Sequence, residues 1–97
     1  VLASRDDLNA EVVQVLMKDK YSKVRQALAF NKATPTPLFV LEHLAHDPEQ
    51  EVRWQVAYNR SCSTSLLEQL IQDQDLYVKQ TAEVTLHELL LRRGETL

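Results

Sequence analysis

Glycine and proline are scarce in this chain, which has one glycine and three prolines in 97 residues. Folds with many tight hairpins need glycine at their turns, so an all-β sandwich or barrel is nearly excluded. A glycine-rich phosphate loop is excluded as well, because the only glycine, Gly94, lies near the end of the sequence.

Cysteine and long hydrophobic runs are also nearly missing. The single cysteine, Cys62, permits neither an internal disulfide nor a cysteine-rich zinc motif. The longest aliphatic and aromatic run, residues 38–41, is far too short to span a membrane, and no signal peptide is visible. We therefore expect no membrane association and a reducing, cytoplasmic setting.

The charge balance is mildly acidic. Eleven Lys and Arg residues face 14 Asp and Glu residues, which gives a net charge of −3. This argues against nucleic acid as a partner. The 44% hydrophobic and 26% charged residues are typical of one globular domain.

A pattern recurs three times along the chain. Each copy begins at an aspartate, has a valine five residues later, and has a basic residue directly after the valine. The three sets are Asp19/Val24/Arg25, Asp47/Val52/Arg53 and Asp73/Val78/Lys79, at periods of 28 and then 26 residues. Because the same residue types recur at the same spacing in all three copies, they indicate an internal repeat.

Each period contains two short helical patterns. Thr36 followed by Pro37 predicts an N-cap and a first-turn proline, and Ser63 is predicted to cap the matching helix. The predicted first helices are Ser22–Phe30 and Glu49–Tyr58, and the predicted second helices are Thr36–Ala45 and Ser63–Ile71.

The chain thus divides into a repeat remnant (1–18), two repeats (19–46 and 47–72) and a terminal repeat or cap (73–97). The last segment predicts one long helix that stops at Gly94. Residues 1–97 form a single helical-repeat domain, which we expect to be part of a longer chain.

The first repeat lacks the front half of its first helix. Its apolar residues Leu2, Val12 and Val15 should therefore be incompletely covered, and we expect self-association at this truncated N-terminal end.

A pair of short helices cannot bury its own apolar face, so neighbouring pairs must stack to make a continuous core. The predicted fold is therefore all-α: a short right-handed α-solenoid of about three stacked helix pairs.

The segment Asp47-x4-Val52-Arg53-x2-Val56-Ala57-x-Asn59 resembles the leucine-rich-repeat variant family and the wider class of HEAT-like, armadillo-like helical repeats. The type member of the variant family carries an N-terminal iron–sulfur segment. One cysteine cannot ligate such a cluster, so no cofactor is implied here.

The architecture and the lack of any catalytic motif favour a non-catalytic protein–protein interaction or scaffolding module rather than an enzyme. By analogy with other HEAT-like proteins, two alternatives remain: a nucleic-acid-binding module, and a lyase-like or chaperone-like accessory factor for a cofactor protein.

The aspartate and basic columns allow two interpretations. Arg25, Arg53 and Lys79 could form a basic track for phosphates, or each aspartate could either cap its own helix or pair with the arginine of a neighbouring repeat. We favour the second, because each base is matched by an acid. Asn31 and Asn59 are interpreted as helix C-cap or loop-bracing residues.

An aromatic column is the best candidate for binding a partner. Phe30, Tyr58 and Val84 occupy equivalent positions, and Trp54 lies one turn before Tyr58. Trp54 lies about 200° from Val52 and Val56 around the helix, so we expect it to be partly exposed and to anchor a protein ligand. Trp54→Ala is then expected to spare folding.

No catalytic or metal site is predicted. His43 and His46 lie three residues apart, and Glu42 and His46 could present two zinc ligands on one helix face, but the third protein ligand that zinc needs is not evident in the sequence. Cys62 precedes a helix, where a reactive thiol is conceivable, but no general base is adjacent, so its segment is interpreted as a capping loop.

Overall fold

The computed structural model of the chain describes residues 10–30 and 36–94. These residues form helices and turns, and no strand occurs among them, which confirms the all-α prediction. The helices are α1 (Ala10–Leu16), α2 (Ser22–Ala29), α3 (Leu38–Leu44), α4 (Gln50–Tyr58), α5 (Thr64–Leu70) and α6 (Leu76–Arg92).

The predicted helix ends are correct at two of three positions. The Ser63 hydroxyl accepts a hydrogen bond from the Leu66 N–H at 3.1 Å and caps α5. Gly94, at φ +77°, adopts the left-handed conformation that ends α6. Thr36 is not the N-cap of α3: Pro37 takes that position, because its ψ of 143° lies outside the helical range.

The described helices pack in two layers. The row of α2, α4 and α6 has α4 in the middle, in contact with both neighbours. Helix α3 contacts α2 and α4, and α5 contacts α4 and α6. The principal extents are 45 × 28 × 16 Å, and the smallest matches two helical layers with axes about 8–10 Å apart.

The core lies between the two layers, where leucines of the second helices meet valines of the first. Val52 and Val78 of the repeated valine column are fully buried and Val24 is partly buried, so the i, i+4 spacing located the inward face of the first helices correctly. The largest fully buried side chains are Leu41, Leu44, Leu67, Val13, Val40, Val52, Val56 and Val78. Among the described helices, none is long and apolar enough to cross a bilayer.

Candidate functional site

The surface of the first-helix row opposite the core carries the aromatic column. On α4, Val52 and Val56 point into the core, so Trp54 and Tyr58 project from the other side of the helix. The rings of Tyr58 and Trp54 are stacked, with centroids 5.3 Å apart and an interplanar angle of 14°. The Phe30 ring follows at 6.2 Å from Tyr58. The three rings form one row across α2 and α4.

Trp54 is only half-buried, and it joins two helices. Its indole N–H donates a 2.8 Å hydrogen bond to the Thr81 hydroxyl of α6, and its ring packs against the core cluster. Partial exposure agrees with the expectation from the helix geometry. The expectation that Trp54→Ala spares folding needs correction, since the substitution removes packing and a hydrogen bond between α4 and α6.

Helix α6 extends the apolar surface further. Four of its large apolar side chains are exposed, and the sequence interpretation singled out only one of them, Val84, as an equivalent of Tyr58. The alignment of the repeats could have located Leu76 and Tyr77, because they align with outward positions at the start of α4, but it does not reach Leu91. We call the combined surface the outer face; it consists of Phe30, Trp54, Tyr58, Leu76, Tyr77, Val84 and Leu91.

Charge is sparse on the α2 and α4 parts of the outer face. The outward positions of these helices, spaced at helical intervals around Gln26 and Trp54, include one base, Lys23, and one acid, Glu51. Both are exposed. They occupy the same position on neighbouring helices, so this part of the surface carries no net charge.

The Asp and Arg columns meet as ion pairs that link α2 to the segment before α4, and α4 to the segment before α6. The Arg25 Nε and Nη2 atoms donate to the two Asp47 carboxylate oxygens at 2.7 and 3.1 Å. The Arg53 guanidinium binds Asp73 in the same bidentate manner at 2.8 and 3.2 Å. We call these two contacts the ion-pair ladder. They correspond to the second interpretation of the columns, with each arginine pairing forward along the chain.

Each arginine also donates a hydrogen bond to the backbone of the segment that precedes its own helix. The Nη1 of Arg25 donates to the Asp19 carbonyl oxygen, and that of Arg53 to the Asp47 carbonyl oxygen. Hydrogen bonding to Asp47 raises the pKa of the Arg25 guanidinium above its ordinary value. Because both guanidiniums are held by carboxylates and carbonyls, they are not available as a phosphate track. Lys79 is exposed on α6.

The aspartates also order the start of each first helix. The carboxylate of Asp19 accepts the N–H of Tyr21, that of Asp47 accepts the N–H of Glu49, and that of Asp73 accepts the N–H of Asp75. Each contact forms a tight turn that begins at the aspartate and ends two residues later, directly before the helix.

Asn59 braces its own loop and links it to the end of α2 and to the segment before α3. Its amide nitrogen donates to the Ala29 carbonyl oxygen at 2.6 Å and to the Thr36 hydroxyl at 3.1 Å, while its side-chain oxygen accepts the Ser61 N–H. Its φ of −79° is not left-handed, so the loop-bracing interpretation describes it and the left-handed cap does not. Asn31 lies outside the described residues.

The remaining candidates show no reactive arrangement. Cys62 is buried, and desolvation raises the pKa of its thiol to about 12, which opposes thiolate formation at neutral pH. His43 and His46 are exposed on or beside α3. Within the described ranges, no group of three His, Cys, Asp or Glu side chains could hold a metal ion.

Comparison with known proteins gives no match: no family model, curated protein or solved structure is significantly similar to the chain.

Proposed function

We propose that the chain is a non-catalytic protein-interaction module of the HEAT-like or leucine-rich-repeat-variant type, whose helix pairs stack as a short right-handed solenoid. Two findings support the stack. The Arg25–Asp47 and Arg53–Asp73 pairs repeat one geometry at successive junctions, and α2, α4 and α6 are consecutive neighbours. Such arrays bind partners along extended surfaces.

The outer face is the observation that carries the proposed function. Its aromatic row is uncommon on a surface that binds nothing, because large contiguous apolar patches mark interaction sites. Tyr and Trp are also the residue types that dominate binding energy at protein interfaces. The Trp54–Thr81 hydrogen bond holds the Trp54 ring in place, which reduces the entropy that binding must overcome.

The test compares two exposed aromatic side chains in different layers. Tyr58 on the outer face is 44% exposed, and Phe39 on α3 is 42% exposed. The wild type, Phe39→Ala and Tyr58→Ala are each immobilised and exposed to the same protein mixture. Proteins that the first two retain and Tyr58→Ala loses are then identified. They are titrated against each variant in purified form. We expect Tyr58→Ala to weaken that binding by about 2 kcal/mol, roughly 30-fold. Equal retention by all three proteins contradicts the proposal.

A further inference from the structure

We propose that the α2–α4 part of the outer face binds a second copy of this chain and forms a two-fold symmetric dimer. This inference rests on the proposed function and names the partner of the same surface. It is carried by the placement of Lys23 and Glu51 beside the aromatic row.

The charges of the face decide the occupant. Covering an apolar surface also takes its charged residues out of water, and an unpaired buried charge costs several kcal/mol. The covering surface must therefore be apolar, with one acid opposite Lys23 and one base opposite Glu51. A second copy of the same face meets this requirement, whereas nucleic acid or a strongly charged peptide pairs with only one of the two residues.

A two-fold axis between α2 and α4, parallel to the helices, satisfies both charges. It places each copy's α2 over the other copy's α4. Lys23 of one copy then faces Glu51 of the other, and the same pair forms a second time by symmetry. Phe30 and Tyr58 face each other in the same way, so the aromatic rows meet. Aromatic side chains at the centre with few charges are typical of dimer interfaces.

Charge reversal tests the dimer by sedimentation velocity over a range of protein concentrations. Lys23→Glu places glutamate against glutamate, and Glu51→Lys places lysine against lysine. We expect each to weaken dimerisation at least about tenfold. The double variant, Lys23→Glu with Glu51→Lys, exchanges the charges and should restore wild-type association. Phe39→Ala on α3 is the control and should dimerise normally, and circular dichroism shows whether each variant is folded.

A wild type that stays monomeric overturns the inference, as does a double variant that is no better than the folded single variants. These outcomes leave the proposed function standing if Tyr58→Ala still loses a different protein partner. If no Tyr58-dependent partner exists and no dimer forms, both proposals fail.

Discussion

At the scale of single residues, burial sets the chemistry of the lone thiol. Cys62 follows a turn closed by its own N–H and the Asn59 carbonyl oxygen, and its side chain lies within the core cluster. Position in the sequence, ahead of a helix, suggested a reactive thiol as one alternative. The structure shows the competing effect, since loss of water around the sulfur outweighs any stabilisation of the thiolate.

We expect native Cys62 to react slowly with iodoacetamide at pH 8, because a pKa of about 12 leaves very little thiolate. Unfolding in urea restores an ordinary thiol pKa and should accelerate the reaction by orders of magnitude. The folded-state pKa is raised, so the protein also loses stability between about pH 9 and pH 12, as the unfolded state releases its proton first. Equal alkylation rates with and without urea would contradict a buried thiol.

The single tryptophan reports on the outer face directly. Because the Trp54 ring is half-buried and bound to Thr81, we expect iodide to quench its fluorescence partially, less than in the unfolded chain. Thr81→Val removes the hydrogen-bond acceptor and should cost about 1–2 kcal/mol in urea unfolding. Quenching as weak as that of a core tryptophan would show that the ring is unavailable to a ligand.

At the scale of the helices, the sequence predicted those elements whose signal is local. The valine and leucine columns located α2 to α5 to within about two residues at each end, because apolar spacing decides which helix face is buried. Ser63 and Gly94 were predictable because a cap acts on its own helix. The role of Thr36 was not predictable from its own segment, because its hydroxyl accepts a hydrogen bond from the Asn59 side chain, which follows α4.

The direction of the ion pairs also lay beyond sequence reasoning. The columns showed that every base has an acid at fixed spacing, which fits pairing within a repeat or with a neighbour. Only the packing of α2 against α4 brings Arg25 to Asp47 rather than to the Asp19 carboxylate. The same limit applies to Leu91 on the outer face, because α6 continues beyond the aligned first helices and only its packing shows which side of that last part is exposed.

The ion-pair ladder predicts that substitutions of two arginines, Arg53 and Arg60, differ strongly in their effect on stability. The Arg53–Asp73 pair is largely buried, with side-chain exposures of 14% and 9%, while the Arg60–Glu88 pair is open to water at 47% and 41%. Arg53→Ala leaves a buried carboxylate unpaired and should cost about 3 kcal/mol. Arg60→Ala should cost less than about 1 kcal/mol.

Chemical denaturation of the two variants and of Asp73→Ala measures these costs. The Arg53→Ala/Asp73→Ala double variant should be less destabilised than the sum of the single variants, because both remove one interaction. Arg53→Lys should recover only part of the loss, since lysine cannot make the bidentate contact. Similar losses of unfolding free energy for Arg53→Ala and Arg60→Ala would show that the ion-pair ladder does not stabilise the fold more than a surface ion pair does.

At the scale of the whole molecule, the proposed stack of helix pairs predicts how stability is distributed along the chain. In such an array, stability is a sum of unit terms and junction terms, so a weakened junction uncouples the units beyond it. The two junctions of this chain differ in their surroundings. Helix α4 packs extensively on α6, with the Trp54–Thr81 hydrogen bond between them, whereas the packing of α1 on α2 is less extensive among the described residues.

We therefore expect native-state hydrogen exchange to resolve two regions. Amides of α4 to α6 should open only with global unfolding, and those of α1 and α2 should open at a lower free energy. Arg25→Ala breaks the first junction and should lower protection in α1 and α2 by about 2–3 kcal/mol while leaving α5 and α6 near their wild-type values. Arg53→Ala, at the second junction, should lower protection in α2 and α4 together. If Arg25→Ala reduced protection equally in all helices, the molecule would unfold as one cooperative unit, and the description as coupled repeats would be wrong.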